Sequence, residues 1–200
     1  MKIIFALVFL CNFFSTSSFA NEVILSSAYS WSRTNISGQN NLPLYTGNGI
    51  SGKIEYLIPF GDTNSISFYA SLLKTKESNS ANSSINETLK LSFLGGGLKY
   101  TFNNFYTSFS VGKLSFEDTV SGTISKTITA ESLGYDLGLG VRLRMTRLIG
   151  FTIGIGALHS SLNPTDGSGF YSNYGLWQFR GSVGLTFILP SLPFGEFSVE

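Results

Sequence analysis

Residues 131–145 read ESLGYDLGLGVRLRM, and this stretch decides the fold. One parity is apolar throughout and consists of Leu133, Tyr135, Leu137, Leu139, Val141, Leu143 and Met145. The other parity mixes glycine with polar and charged residues such as Asp136 and Arg142. Successive side chains of a strand point to opposite faces, so this period of two predicts a strand with two unlike faces. A long apolar face opposite glycine and charge favours a strand that lies between lipid and a narrow polar lumen.

The same alternation recurs along the chain. It is found in residues 23–33, 50–60, 65–74, 88–102, 105–116, 149–155 and 174–189. Its parity slips at Gly95-Gly96-Gly97, which predicts a bulge or a kink there. An even number of antiparallel strands closes without a free edge, and a free edge in hydrocarbon would leave backbone groups unpaired. We therefore predict an all-β fold, an eight-stranded antiparallel up-and-down transmembrane β-barrel.

The connections between these strands alternate in length. Residues 61–64, 103–104 and 146–147 predict tight turns, whereas residues 35–48, 75–87, 117–129 and 160–173 predict long polar loops. Tight periplasmic turns and longer outer loops are typical of outer-membrane barrels, with both termini then periplasmic. The main alternative is a soluble secreted β-sandwich, which has no reason to sort its loops by length. Aromatic residues near strand ends, including Trp31, Phe116 and Trp177, agree with a lipid–water boundary, although strand propensity alone also enriches them.

The first 20 residues predict a secretory signal peptide. Lys2 is followed by the apolar stretch 3–14, and Ser18-Phe19-Ala20 is typical of a cleavage site. Residues 21–200 then form the barrel, with a short periplasmic tail at 190–200. The single cysteine, Cys11, leaves with the signal, so we expect no disulfide, no metal site and no cofactor.

Charge is sparse and balanced along the chain. Charged residues make up 12% of the sequence and the formal net charge is +1. No block of like charge stands out, so nucleic acid is not expected as a partner.

The polar parity places charged side chains inside the predicted barrel. We expect a lumenal polar network of Lys53, Glu55, Lys99, Asp136, Arg142, Arg144 and Arg180. Buried charge requires partners, and eight strands leave a lumen just wide enough for side chains to fill. A plug-like network of ion pairs is therefore favoured over the alternative, a gated pore that the same groups would line.

The last strand resembles the terminal insertion signal of outer-membrane barrels at Ser182, Gly184, Phe187 and Leu189. It departs from that signal because leucine takes the final apolar position and a tail follows. Residues 95–189 resemble the OmpA/OmpX-type small barrels, most clearly at residues 98–104 and 134–141. The resemblance implies an integral protein of a bacterial outer membrane. Its neighbours would be outer-membrane lipid, including lipopolysaccharide, and the barrel-assembly machinery would act on it during insertion.

A second resemblance concerns the only histidine. His159-Ser160-Ser161 resembles the His-x-Ser of the PagL-type lipid A deacylases. A serine nucleophile needs a base and a third group that orients the base, and the only acid in this loop is Asp166. We therefore expect no catalytic residues, with His159 and Ser161 as the alternative.

The polar loops, with Tyr45, Phe170 and Tyr171, suit contact with a surface partner, and flexible-loop composition explains them equally well. The sequence thus predicts a monomeric or weakly associating barrel with a structural or surface-interaction role, in envelope integrity or adhesion. The alternatives are a small-solute channel and a lipid A-modifying hydrolase.

Overall fold

The chain forms one closed antiparallel β-barrel of eight strands, as predicted. The computed structural model describes residues 21–37, 44–60, 63–79, 86–121, 126–162 and 174–190. The strands are β1 (Glu22–Ser37), β2 (Leu44–Phe60), β3 (Asn64–Asn79), β4 (Asn86–Phe102), β5 (Phe105–Ser121), β6 (Lys126–Arg144), β7 (Ile149–Leu162) and β8 (Tyr174–Pro190). Each strand pairs with its sequence neighbours, and β1 pairs with β8 to close the barrel. None of the described residues belongs to a helix that could span a membrane.

The barrel has two distinct ends. We call the turn end the one where β1 starts, β8 finishes and the three short connections lie, and the loop end the opposite one. At the turn end, Asn103 adopts a left-handed φ of 53° in the two-residue turn between β4 and β5. Asparagine tolerates this conformation better than most residues. The predicted signal peptide and the tail after Pro190 lie outside the described residues and stay predictions.

The prediction of long loops is wrong for much of their length, because the strands continue into these residues. The strands are 14 to 19 residues long, although about 9–11 residues suffice to cross a bilayer. The connections at the loop end shrink to residues 38–43, 80–85, 122–125 and 163–173. Tyr45, predicted as a loop contact residue, lies in β2 and is only 1% exposed. Phe170 and Tyr171 lie outside the described residues.

A continuous apolar band covers the outer wall nearer the turn end. Its larger exposed members include Trp31, Ile54, Phe68, Leu98, Phe109, Leu137, Ile155, Phe179 and Leu185. Monomeric soluble proteins rarely expose so wide an apolar surface. In a soluble β-sandwich these side chains would pack against a second sheet. Here they face outward around a single closed sheet, which excludes the sandwich.

Beyond the apolar band, toward the loop end, the two faces exchange character. In β4, Lys90 and Ser92 face outward while Leu91 and Phe93 are 2% and 1% exposed inside the barrel. The predicted bulge or kink at Gly95-Gly96-Gly97 is therefore wrong, because the ladder to β5 runs through it without interruption. The apparent slip in parity is a change in which face is apolar. Phe116, predicted at a lipid boundary, faces inward for the same reason and is 8% exposed.

The closing seam requires close approach of two backbones. A Cβ atom on Gly184 in β8 would lie 2.3 Å from the Ser27 carbonyl oxygen and 2.6 Å from the Ala28 Cβ in β1. Glycine at this position therefore lets the last strand reach the first. The other positions of the predicted insertion signal follow the strand alternation. Ser182 faces inward, and Phe187 and Leu189 are 48% exposed on the outer wall.

Candidate functional site in the lumen and at the loop end

A cluster of charged side chains fills the middle of the lumen. Glu55 of β2 is 1% exposed and accepts hydrogen bonds from two cations. Lys99 Nζ lies 3.0 and 3.1 Å from its two carboxylate oxygens, and Arg142 Nη2 lies 2.7 Å from Oε2. Arg180 of β8 forms a second ion pair with Asp136 of β6, over the inner face of the intervening strand β7. The Arg142–Glu55 contact joins β6 to β2, which lie opposite each other in the closed barrel, whereas the other contacts each join strands two places apart.

Two of the predicted network residues behave differently from the rest. Lys53 faces inward, and its ammonium lies 4.9 Å from the centroid of the Tyr69 ring. Among the described residues, no carboxylate forms an ion pair with it. Arg144 does not enter the cluster, since it lies at the rim of the turn end with a side chain that is 51% exposed. Its guanidinium pairs with Glu22 at 2.7 Å and also donates to the Arg147 carbonyl oxygen. Arg144 is the last residue of β6, and at this edge of the barrel wall its side chain is accessible to solvent.

An apolar layer lies inside the barrel between the charged cluster and the loop end. It consists of Ile36, Tyr45, Leu73, Leu89, Leu91, Phe93, Leu114, Phe116, Ile128, Ala130, Leu158, Leu162 and Leu176. Phe93 lies across two glycines: a Cβ on Gly95 would be 2.5 Å from its ring, and a Cβ on Gly134 would be 3.2 Å away. Sequence reasoning missed this layer, because its members alternate with polar residues that face outward.

A polar cluster with three carboxylates lies in the lumen among the members of this layer, since Leu89 is the direct cross-strand neighbour of both Glu77 and Asp118. The Tyr45 hydroxyl donates to Glu87 Oε1 at 2.7 Å and lies 3.3 Å from Asp118 Oδ2. Asn79 Nδ2 donates to the other oxygen of Glu87 at 2.6 Å. Gln178 of β8 donates to Glu77 Oε1 at 2.6 Å and to Thr75 Oγ1 at 3.0 Å. The three carboxylates of this cluster fall in segments that the sequence analysis predicted as loops, so sequence reasoning missed this cluster as well.

One hydroxyl proton cannot satisfy two carboxylates at once. Asp118 is 3% exposed, and its Oδ1 has no hydrogen-bond partner among the described residues. Burial, together with the nearby Glu87 carboxylate, raises the pKa of Asp118 to about 7. Burial and the Asp118 and Glu87 carboxylates also raise the pKa of the Tyr45 hydroxyl, which therefore stays protonated. The carboxyl pair thus holds a shared proton near neutral pH.

The Asp118 carboxyl makes stability depend on pH. Its pKa in the folded barrel lies above the ordinary value of 3.8, so the folded state binds more protons between pH 4 and 7. Stability should therefore fall as the pH rises through that window, by at most about 4 kcal/mol, and level off above it. Asp118→Asn should flatten this dependence. Urea unfolding of refolded barrel at pH 5, 6, 7 and 8 measures it, and equal slopes for the two proteins would contradict the prediction.

His159 and Ser161 lie on the outer wall near the loop end, as expected from their spacing. The His159 ring stacks on Trp177 with centroids 4.2 Å apart, and Nδ1 lies 3.0 Å from the Leu176 carbonyl oxygen. Ser160 between them faces inward, with its hydroxyl donating to the Leu133 carbonyl oxygen. The His159 ring thus forms its hydrogen bond with the backbone, and Asp166 lies outside the described residues. In the described ranges, no group of three or more His, Cys, Asp or Glu side chains is placed to hold a metal ion.

Lysine side chains lie on the outer wall at the border of the apolar band that faces the loop end, where Lys113 has the exposed Leu94 and Leu133 as its direct neighbours. We call this set the lysine row, formed by Lys74, Lys76, Lys90 and Lys113 on β3, β4 and β5. Lys76 and Lys90 are directly opposite each other across β3 and β4. Glu117 pairs with Lys90 at 2.6 Å, and Glu131 pairs with Lys113 at 2.7 Å. A shallow groove of about 990 Å³ runs along this part of the wall, and Lys74, Lys76 and Lys90 line it.

Comparison with known proteins identifies the architecture. No protein-family model matches the sequence, and a search of the curated proteins likewise finds no match. Among solved structures, Ail, the attachment invasion locus protein of Yersinia pestis, is similar with a TM-score of 0.59 and 17% identity over 86% of this chain and all of that one. Neisserial surface protein A is similar with a TM-score of 0.53 and 14% identity over 83% and 96%. The outer membrane protein AlkL, determined in lipid bilayers, is similar with a TM-score of 0.51 and 12% identity over 92% and 97%. The chain therefore has the fold of the small eight-stranded outer-membrane β-barrels.

Proposed function

We propose that the chain is an integral protein of a bacterial outer membrane with a structural or surface-interaction role. The observation that carries this proposal is the division of the molecule into a filled interior and two distinct outer zones. The lumen of the barrel holds an ion-paired cluster on the turn-end side of an apolar layer. The outer wall is apolar near the turn end and polar near the loop end. A barrel whose interior is packed in this way acts through its outside.

The orientation follows from the same zones. We propose that the turn end and both chain termini face the periplasm and that the loop end faces outward. The similar structure Ail is named for attachment and invasion. That name supports a contact role for the loop end here, in adhesion or envelope integrity. The resemblance of β8 to an insertion signal supports the barrel-assembly machinery as a transient partner.

The first test is heat-modifiability of the refolded chain in detergent. A folded barrel should migrate differently on a gel before and after boiling and should give β-type circular dichroism. Solubility without detergent as a monomer would contradict the membrane proposal. A planar-bilayer recording on the same sample tests the channel alternative, for which the apolar layer predicts no steady conductance, because an ion would lose its hydration there.

The lysine row supports lipopolysaccharide as the lipid neighbour. Like charges directly opposite on a sheet, such as Lys76 and Lys90, repel each other, and phosphate groups at the lipid boundary would offset that repulsion. Glutamates pair with Lys90 and Lys113, whereas the described residues place no carboxylate in an ion pair with Lys74 or Lys76. We therefore propose that Lys74 and Lys76 contact phosphates of the outer leaflet.

Lys74→Ser with Lys76→Ser should weaken the binding of lipopolysaccharide about 30-fold, because each cation near an anionic surface contributes about 1 kcal/mol. Affinity is measured by titrating lipopolysaccharide into the refolded barrel in neutral detergent. Arg147→Ser removes an exposed cation at the turn end and serves as the control. A loss of about 5-fold in Arg147→Ser, the same free energy for each cation removed, would indicate a general charge effect and contradict the proposed contact.

The hydrolase alternative rests on His159 and Ser161 alone. A lipid A assay on wild type and on His159→Ala tests it directly. Activity in wild type that the variant lacks would replace the proposed role with an enzymatic one.

A further inference from the structure

The charged cluster in the middle of the lumen contains more cations than carboxylates. Four cationic side chains face inward at this level, namely Lys53, Lys99, Arg142 and Arg180, against the two carboxylates Glu55 and Asp136. The described residues therefore leave an excess of two positive charges in the part of the lumen that the apolar band surrounds. An uncompensated charge in such a place is strongly destabilising.

The carboxylates are already occupied by the other cations. Glu55 receives Lys99 and Arg142, and Asp136 receives Arg180. Lys53 remains over the face of Tyr69, at 4.9 Å from the ring centroid. A ring face attracts a cation more weakly than a carboxylate does, so the Lys53 charge is only partly offset.

Hydrogen-bond donors without partners surround Lys53. Ser26 of β1 and Ser71 of β3 are its direct neighbours across the sheet, one on each side, and all three face the lumen. The hydroxyls of Ser26 and Ser71 and the Nη1 atom of Arg180 are buried and have no hydrogen-bond partner among the described residues. Ser71 is 6% exposed. Buried donors of this kind normally have an acceptor.

The residues that carry these donors border one small cavity. It has a volume of about 60 Å³, and Ser26, Lys53, Ser71 and Arg180 are among the residues that line it. At about 10–15 Å³ for each water, that space holds a few water molecules. It therefore accommodates a monatomic anion together with water. Water alone would accept the free hydrogen bonds but would leave the excess charge in place.

We propose that the lumen contains a halide site, with chloride as the physiological ligand, formed by Ser26, Lys53, Ser71 and Arg180. The two serines and Arg180 donate hydrogen bonds to the ion, and Lys53 supplies the charge that it neutralises. Glu55 and Asp136 also line the cavity, but their negative charge is compensated by their own partners. The ion would be enclosed as the barrel closes, with the apolar layer above it.

The test compares the full chain refolded in sodium chloride, sodium bromide or sodium gluconate at equal ionic strength, since gluconate is too large for the cavity. The midpoint temperature of unfolding, followed by heat-modifiability, should be higher in chloride and bromide than in gluconate and should saturate with halide concentration. Lys53→Met should abolish this difference and raise the midpoint in gluconate, because it removes one excess charge. Lys90→Met, on the outer wall, should retain the halide effect.

Equal midpoints of the wild-type protein in chloride and gluconate would overturn the proposal and indicate that Lys53 or Lys99 is neutral instead. A halide effect that persists in Lys53→Met would overturn it as well. Crystals grown in bromide give a second readout that does not depend on stability. An anomalous peak between Lys53 and Arg180 is expected, and its absence would contradict the site.

Discussion

Replacement of Glu55 by Gln should lower the free energy of unfolding by about 3–5 kcal/mol, the loss typical of breaking a buried ion pair from one side. Glu55 is 1% exposed, and it is the partner of both Lys99 and Arg142. The amide keeps the size of the side chain but leaves two cations without a counter-charge. Urea unfolding of the barrel refolded into lipid vesicles measures the loss.

A matched control is available at the turn end. Glu22 pairs with Arg144 at the same 2.7 Å as Glu55 with Arg142, but the Arg144 side chain is 51% exposed. Glu22→Gln should therefore cost only about 0–1 kcal/mol. The combined change Glu55→Leu, Lys99→Met and Arg142→Met should recover most of the stability, since an apolar replacement of similar volume leaves no unpaired charge. A cost for Glu55→Gln no larger than for Glu22→Gln would show that the lumen is well hydrated.

Replacement of Phe93 by Ala should lower the free energy of unfolding by about 3–5 kcal/mol, because it leaves a cavity in a packed layer. Phe93 is 1% exposed inside the barrel, with its ring over Gly95 and Gly134. Neither glycine has a side chain that can fill the space that the ring vacates. The same urea unfolding measures the loss.

The control for Phe93 is a phenylalanine on the other face of the wall. Phe109 of β5 is 45% exposed in the apolar band, where lipid or detergent would fill the space left by Phe109→Ala. Phe109→Ala should therefore lose only the transfer free energy of the removed ring atoms, without a cavity contribution, and lower the free energy of unfolding less than Phe93→Ala does. Bilayer recordings add a second readout, in which Phe93→Ala should raise the frequency of brief conductance events. If both alanine variants cost the same, the apolar layer is not closely packed.

Together these two experiments examine why the interior is closed. The charged cluster holds opposite walls together near the middle of the barrel, and the apolar layer fills the section nearer the loop end. With the interior occupied in this way, the outer wall with its lysine row is the described surface that is available to partners. This arrangement is the basis of the proposed structural or surface-interaction role.

The sequence by itself determined the number of strands, their antiparallel order and the inward parity of residues such as Glu55, Lys99 and Arg142. These follow from a period of two and from turn residues, which are local properties of the chain. The alternation also placed His159 and Ser161 on one face, without showing what either contacts.

Only the tertiary structure decided where the lipid-facing part of each strand ends. Apolar residues face outward in the band and inward beyond it, as Leu94 and Phe93 do in neighbouring positions of β4. A pattern of alternation cannot reveal which face is surrounded by lipid, because that depends on the height of a residue along the barrel axis. Closure of β8 on β1 sets that height for all eight strands at once. For this reason the apolar layer, the Tyr45–Glu87–Asp118 cluster and the excess charge around Lys53 became visible only when the barrel was closed.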